Sequence, residues 1–161
     1  MASAFQPRRI LCVDDNEYGL AIRRRMLELF GFIVTTATSG AAGLQQLADS
    51  DFDLAVIDYQ MPEMDGAELA EHIRSRHPGL PIILLTGYPL DVPPRTLQMV
   101  DKLITKGGPT DEFLNAIFTL TGAERRRVPV PQREKKQIFR RTTDHVDAVK
   151  NFLRKDVRRK A

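Results

Sequence analysis

The stretch DFDLAVIDYQMPEMDGAEL, residues 51–69, carries four apolar residues, Leu54, Ala55, Val56 and Ile57, straight into a carboxylate at Asp58. A proline, Pro62, and an Asp-Gly pair, Asp65-Gly66, follow shortly after. An uninterrupted apolar run with β-branched members and turn-forming flanks predicts a strand covered on both faces. Asp58 then either ends that strand or is the group the strand holds in place. The other strand ends distinguish the two.

Four more runs of the same kind occur: RILCV (9–13), FIVTT (32–36), PIILLT (81–86) and KLIT (102–105). With LAVID at 54–58, the starts fall 23, 22, 27 and 21 residues apart. The gaps carry helical periods. Tyr18, Ile22, Met26 and Leu29 predict one face of a helix after the first strand. Leu69 and Ile73 predict another, with Asp65 as N-cap and Glu68 three residues on. Phe113, Ile117 and Leu120 predict the last. A further helix is expected over 39–48, and Pro89, Pro93 and Pro94 confine the fourth to about 94–100. Apolar strands alternating with helices, joined by right-handed crossovers, give an α/β domain with a doubly wound five-stranded parallel sheet.

A length of 161 residues, 42% hydrophobic and 28% charged, suits one domain with an appendage. The single cysteine, Cys12, excludes a disulfide within the chain, and its ILCV setting predicts a buried strand residue. The N-terminal MASAFQPRR has no signal-peptide core, and no apolar run is long enough to cross a bilayer, so a cytoplasmic location is expected. Charge divides the chain. Residues 123–161 hold 14 Lys and Arg against 5 Asp and Glu, a balance of +9, whereas residues 1–122 hold 10 against 16, a balance of −6. An acidic domain, 1–122, followed by a basic tail, 123–161, is the expected organisation.

In doubly wound sheets ligands bind outside the carboxyl ends of the strands. Strand one ends at Asp14 and Asp15, strand three at Asp58, and strand four at Thr86 before Gly87; Lys106 follows strand five. Three converging carboxylates repel one another, and a divalent cation relieves that repulsion. An oxygen-only donor set without His or Cys suits Mg²⁺, which keeps waters and takes phosphate oxygens. No glycine-rich phosphate loop follows strand one, which argues against a nucleotide. A carboxylate can itself be the nucleophile that forms an aspartyl phosphate. Mg²⁺, the Lys106 ammonium and the Thr86 hydroxyl would then neutralise and position the phosphoryl oxygens. The bland alternatives are that Asp14-Asp15-Asn16 caps the first helix and that Lys106 is a solvated surface lysine. Asp65-Gly66 is expected to be a turn and cap, and His72, His77 and His145 to lie on exposed helix faces.

Asp14-Asp15, DLAVIDYQMPEMDG, Thr86-Gly87 and Lys106, in this order and spacing, resemble the receiver domain of bacterial two-component response regulators. The resemblance covers residues 8 to about 121. It implies the flavodoxin-like strand order 2-1-3-4-5 and a phosphoacceptor signalling protein rather than an enzyme with an external substrate. It implies Asp58 as phosphoacceptor, Mg²⁺ bound by Asp15 and Asp58 directly, by Asp14 through water and by the backbone carbonyl of Gln60, and Thr86 and Lys106 on the phosphoryl group. The implied phosphate donor is a histidine kinase or phosphotransfer protein, and the implied output is a downstream protein target. Two positions depart from the family pattern. Lys106-Gly107 stands where receivers carry Lys-Pro, so the expected cis-proline is missing and Gly107 is free to take an unusual backbone conformation. Leu103 stands where receivers commonly carry a switching Tyr or Phe, which leaves Tyr88 as a candidate gate.

The tail begins as a linker, GAERRRVPVPQREKK, and then shows a helical stripe of Val146, Val149, Phe152, Leu153 and Val157. It is open to several uses: packing on its own domain, forming a homodimer, engaging a partner, or binding nucleic acid or an anionic membrane surface. A DNA-binding regulator that uses the tail and a receiver-like module that never takes phosphate are the alternative functional readings.

Overall fold

Side chains alternate along each strand, so a sheet with helices on both sides sorts its apolar residues into two cores. The computed structural model describes residues 6–124. Five strands, β1 (Arg9–Val13), β2 (Ile33–Ala37), β3 (Leu54–Asp58), β4 (Ile82–Thr86) and β5 (Lys102–Thr105), alternate with α1 (Glu17–Glu28), α2 (Gly40–Asp49), α3 (Gly66–Arg76), α4 (Pro94–Met99) and α5 (Thr110–Thr121). All strand pairs are parallel, in the order β2-β1-β3-β4-β5. This is the expected doubly wound, flavodoxin-like sheet. The expected tail helix lies outside the described residues, as does His145.

One core joins Ile10, Cys12, Leu54, Val56, Ile83 and Leu85 of the sheet to Leu20 and Leu27 of α1 and Phe113, Leu114 and Ile117 of α5. The other joins Leu11, Val13, Ala55, Ile57, Ile82 and Leu84 to Leu47 of α2 and Leu69, Ala70 and Ile73 of α3. β3 is buried along its whole length, as its uninterrupted apolar pattern requires. Burial raises the Cys12 thiol to about 12, which makes it an inert core residue.

The helix starts follow their capping residues. Asn16, Ser39 and Asp65 accept from Gly19, Ala42 and Glu68 backbone N–H groups at 3.0, 3.1 and 2.9 Å, and Glu68 closes a capping box on Asp65. The Arg74 guanidinium ends α3 differently. It donates to the carbonyls of Met99 (2.8 Å), Pro78 (2.9 Å) and Leu80 (3.1 Å) and to the Asp101 carboxylate (3.0 Å). One side chain thus ties α3 to the approaches of both β4 and β5.

The α1 stripe is a correction. Tyr18 and Ile22 are 68% and 54% exposed, and the buried face instead carries Leu20 and Leu27, with Met26 packed beside them. Apolar residues occupy two faces of this helix, and each face also carries an arginine: Arg25 beside Tyr18 and Ile22, Arg23 between Leu20 and Leu27. The structure turns Arg23 inward because a carboxylate waits for it there, as shown below. His77 also departs from expectation: it is half-buried at the C-cap of α3, whereas His72 is exposed on that helix.

Candidate functional site at the carboxyl edge of the sheet

Parallel register gathers the site. β1 and β3 pair from Ile10 with Leu54 to Val13 with Ile57, so one step further along each strand come Asp14 and Asp58. Asp58 is opposite Leu85, immediately before Thr86, and Thr86 is opposite Thr105, immediately before Lys106. Four crossovers therefore bring residues up to 92 positions apart in sequence to one rim.

The side chains meet there. Lys106 Nζ lies 2.8 Å from Asp58 Oδ2 and 3.4 Å from Asp14 Oδ2. Asp14 Oδ1 accepts from the Asn16 backbone N–H at 2.9 Å. So Asn16 takes the capping task and its own N–H holds Asp14, while Asp15 stays exposed. Asp14 and Asp58 are almost wholly buried, and Thr86 Oγ1 accepts from the Tyr88 backbone N–H at 3.0 Å. Gln60 lies two residues beyond β3 with an exposed side chain.

Burial raises the pKa of Asp58, because the ionised form is deprived of water; the Lys106 hydrogen bond opposes the rise and the Asp14 charge adds to it. One oxygen from each of Asp14, Asp15 and Asp58 falls within 4.8 Å of the others. Asp58 Oδ1 is buried with no hydrogen-bond partner among the described residues. A buried, unpartnered carboxylate oxygen beside two further carboxylates is a donor set fit for a small hard cation.

The loop after β3 is shaped by close approach. A Cβ at Gly66 would stand 2.3 Å from the Asp58 carbonyl oxygen and 2.7 Å from Tyr59 Cα, so only glycine lets α3 start against the end of β3. The left-handed residue of this loop is Glu63, with φ 65°, and not the Asp-Gly pair. On the other side of the rim Gly107 adopts φ 81°. Leu103 packs among the α2–α3 core residues, and the Tyr88 side chain is 62% exposed.

One residue of the site was missed from sequence. Arg23 Nη2 donates to Asp14 Oδ2 at 3.1 Å, and its side chain is only 13% exposed. Its spacing, three after Leu20 and four before Leu27, puts it on the buried face of α1, but nothing in the sequence separates that face from the one with Tyr18 and Ile22.

A parallel sheet of this order, with carboxylates of β1 and β3 and a lysine after β5 at one rim, defines a receiver, the signalling phosphoacceptor domain of two-component systems. The chain belongs to that family: residues 10–117 match the response regulator receiver domain. It is 32% identical over 133 residues to the sensor protein GacS of Pseudomonas syringae pv. syringae, covering 78% of this chain and 15% of GacS. It is 37% identical over 114 residues to the transcriptional regulatory protein GlrR of Escherichia coli K12, covering 70% of this chain and 26% of GlrR. The chain thus spans about a quarter or less of these relatives. Among solved structures, it is similar to the Thermotoga maritima response regulator TrrA in complex with Mg(2+)-BeF, with TM-score 0.65, 29% identity and coverage of 70% of this chain and 98% of that one. It is also similar to a CheY-like receiver domain protein from Methanospirillum hungatei, with TM-score 0.67, 29% identity and coverage of 73% and 95%.

Proposed function

We propose that Asp58 accepts a phosphoryl group from a histidine kinase or histidine phosphotransfer protein and that the phosphorylated domain signals through protein contacts. The observation that carries this reading is the Lys106–Asp58–Asp14 cluster at the end of β3, with one Asp58 oxygen buried and unpartnered. Asp15 and Asp58, with Asp14 through water and the Gln60 carbonyl, would hold Mg²⁺, which supplies charge neutralisation of the phosphoryl oxygens. The reaction is a displacement: an Asp58 carboxylate oxygen forms a bond to phosphorus as the donor's phosphorus–nitrogen bond breaks, and the imidazole leaves with the electron pair. Asp58 must be ionised to attack. The Lys106 ammonium then exchanges its carboxylate partners for a phosphoryl oxygen, and the Thr86 hydroxyl donates to another. Support for a kinase partner comes from relatives such as GacS, named as a sensor protein and as a sensor histidine kinase, within which the matching segment occurs.

We assign residues 1–122 to this receiver and 123–161 to the basic tail. Incubation with acetyl phosphate and Mg²⁺ tests the site: label on Asp58 is expected, lost in Asp58→Asn and strongly slowed in Lys106→Ala. Label that survives Asp58→Asn would overturn the assignment.

A further inference from the structure

We propose that Arg23 is a built-in counter-cation of the phosphoacceptor pocket, a positioning residue that occupies Asp14 from the α1 side and weakens resting Mg²⁺ binding. The inference rests on the phosphoacceptor reading above and concerns a residue that no motif of the site contains. Asp14 Oδ2 receives two cations, Arg23 Nη2 at 3.1 Å and Lys106 Nζ at 3.4 Å, while Oδ1 is held by the Asn16 N–H at 2.9 Å. Lys106 has a second carboxylate at 2.8 Å and a flexible stem, and its side chain is 37% exposed, so it can move. Arg23 has neither freedom. It sits between Leu20 and Leu27 on the buried face of α1, and its Nη1 is buried with no hydrogen-bond partner among the described residues.

A guanidinium in such a place would be expelled by hydropathy and is retained because Asp14 compensates its charge. The converse follows for Asp14. Three carboxylates with Lys106 alone leave the pocket two negative charges in excess; Arg23 reduces the excess to one. Arg23 remains at Asp14 when Lys106 turns to a phosphoryl group, so Asp14 is never left without a partner. The cost falls on the metal, because a fixed positive charge next to Asp14 repels a divalent cation bound by Asp15 and Asp58.

The test is calorimetric titration of the full chain with Mg²⁺, before any phosphodonor is added, on the wild type, Arg23→Gln and Arg23→Lys. Arg23→Gln is expected to tighten Mg²⁺ binding about tenfold, and Arg23→Lys to stay within about threefold of the wild type. In acetyl phosphate labelling, Arg23→Gln should lower the Mg²⁺ concentration for half-maximal rate. If glutamine on this buried face prevents folding, judged by thermal melting, Arg23→Met, which matches its apolar neighbours, is held to the same expectations. Unchanged or weaker Mg²⁺ binding in a folded charge-removing variant would overturn the proposal. A wild type that is labelled on Asp58 while Arg23→Gln binds Mg²⁺ no more tightly sinks Arg23 alone. A wild type that neither binds Mg²⁺ nor takes label sinks the phosphoacceptor reading with it.

Discussion

Asp58 stands in a place that disfavours ionisation. Its raised pKa means that the folded chain holds the proton more tightly than the unfolded chain does. That contribution to stability is fully present below the ordinary carboxylate pKa and is lost as pH rises through the raised value. Asp58→Asn should therefore melt at a higher temperature than the metal-free wild type at about pH 7, with the gap closing as the pH falls to about 4. A constant gap across that range would remove desolvation as the cause. Glu63 is strained in a different way, as a non-glycine residue at φ 65° on the exposed loop after β3. Glu63→Gly is expected to stabilise the fold by about 1 kcal/mol in urea unfolding, without altering the extent of Asp58 labelling. The Asp-Gly signal at 65–66 pointed to the correct loop and the correct helix start. Which residue would take the left-handed conformation was not legible, because Gly66 is needed for its missing Cβ against Asp58 and not for its φ.

At the scale of elements, α1 and α3 show what periodicity can and cannot establish. Every helix expected between residues 8 and 121 is present, and β1, β3 and β5 have the predicted bounds. The facing of α1 was misjudged, because Tyr18 and Ile22 compete with Leu20 and Leu27 for one core and the sequence does not reveal that Arg23 has an acceptor. Leu27→Ala should cost about 3 kcal/mol by chemical denaturation, whereas Ile22→Ala should change stability by less than about 0.5 kcal/mol. Equal costs would restore the expected stripe. In α3 the decisive residue is Arg74, whose guanidinium satisfies three carbonyls and Asp101. Asp101 in turn accepts from the Ile82 N–H at 2.8 Å, so the contact reaches the first residue of β4. Arg74→Ala is expected to destabilise by about 2 kcal/mol, seen as a lower denaturation midpoint, because the half-buried carbonyls of Met99 and Leu80 lose their donor at once.

At the scale of the molecule, the described residues hold two cores and the rim, and α5 ends at Thr121 with Gly122 in the left-handed conformation at φ 63°. Among those residues no helix is long and apolar enough to cross a membrane. A chain truncated after Glu124 should melt within a few degrees of the full chain and take the same label on Asp58. Loss of either would make the basic segment part of the receiver's stability or chemistry. Sequence by itself determined the class of sheet, the positions of its strands and the identities of Asp14, Asp15, Asp58, Thr86 and Lys106 as strand-end groups. It could do so because burial writes uninterrupted apolar runs and because charged residues at their ends are conspicuous. Only the tertiary structure decided which groups touch. The Lys106–Asp58 contact, the orphaned Asp58 oxygen and the Arg23–Asp14 pair depend on strand register and helix rotation, which are set by contacts distant in the chain and leave no local pattern.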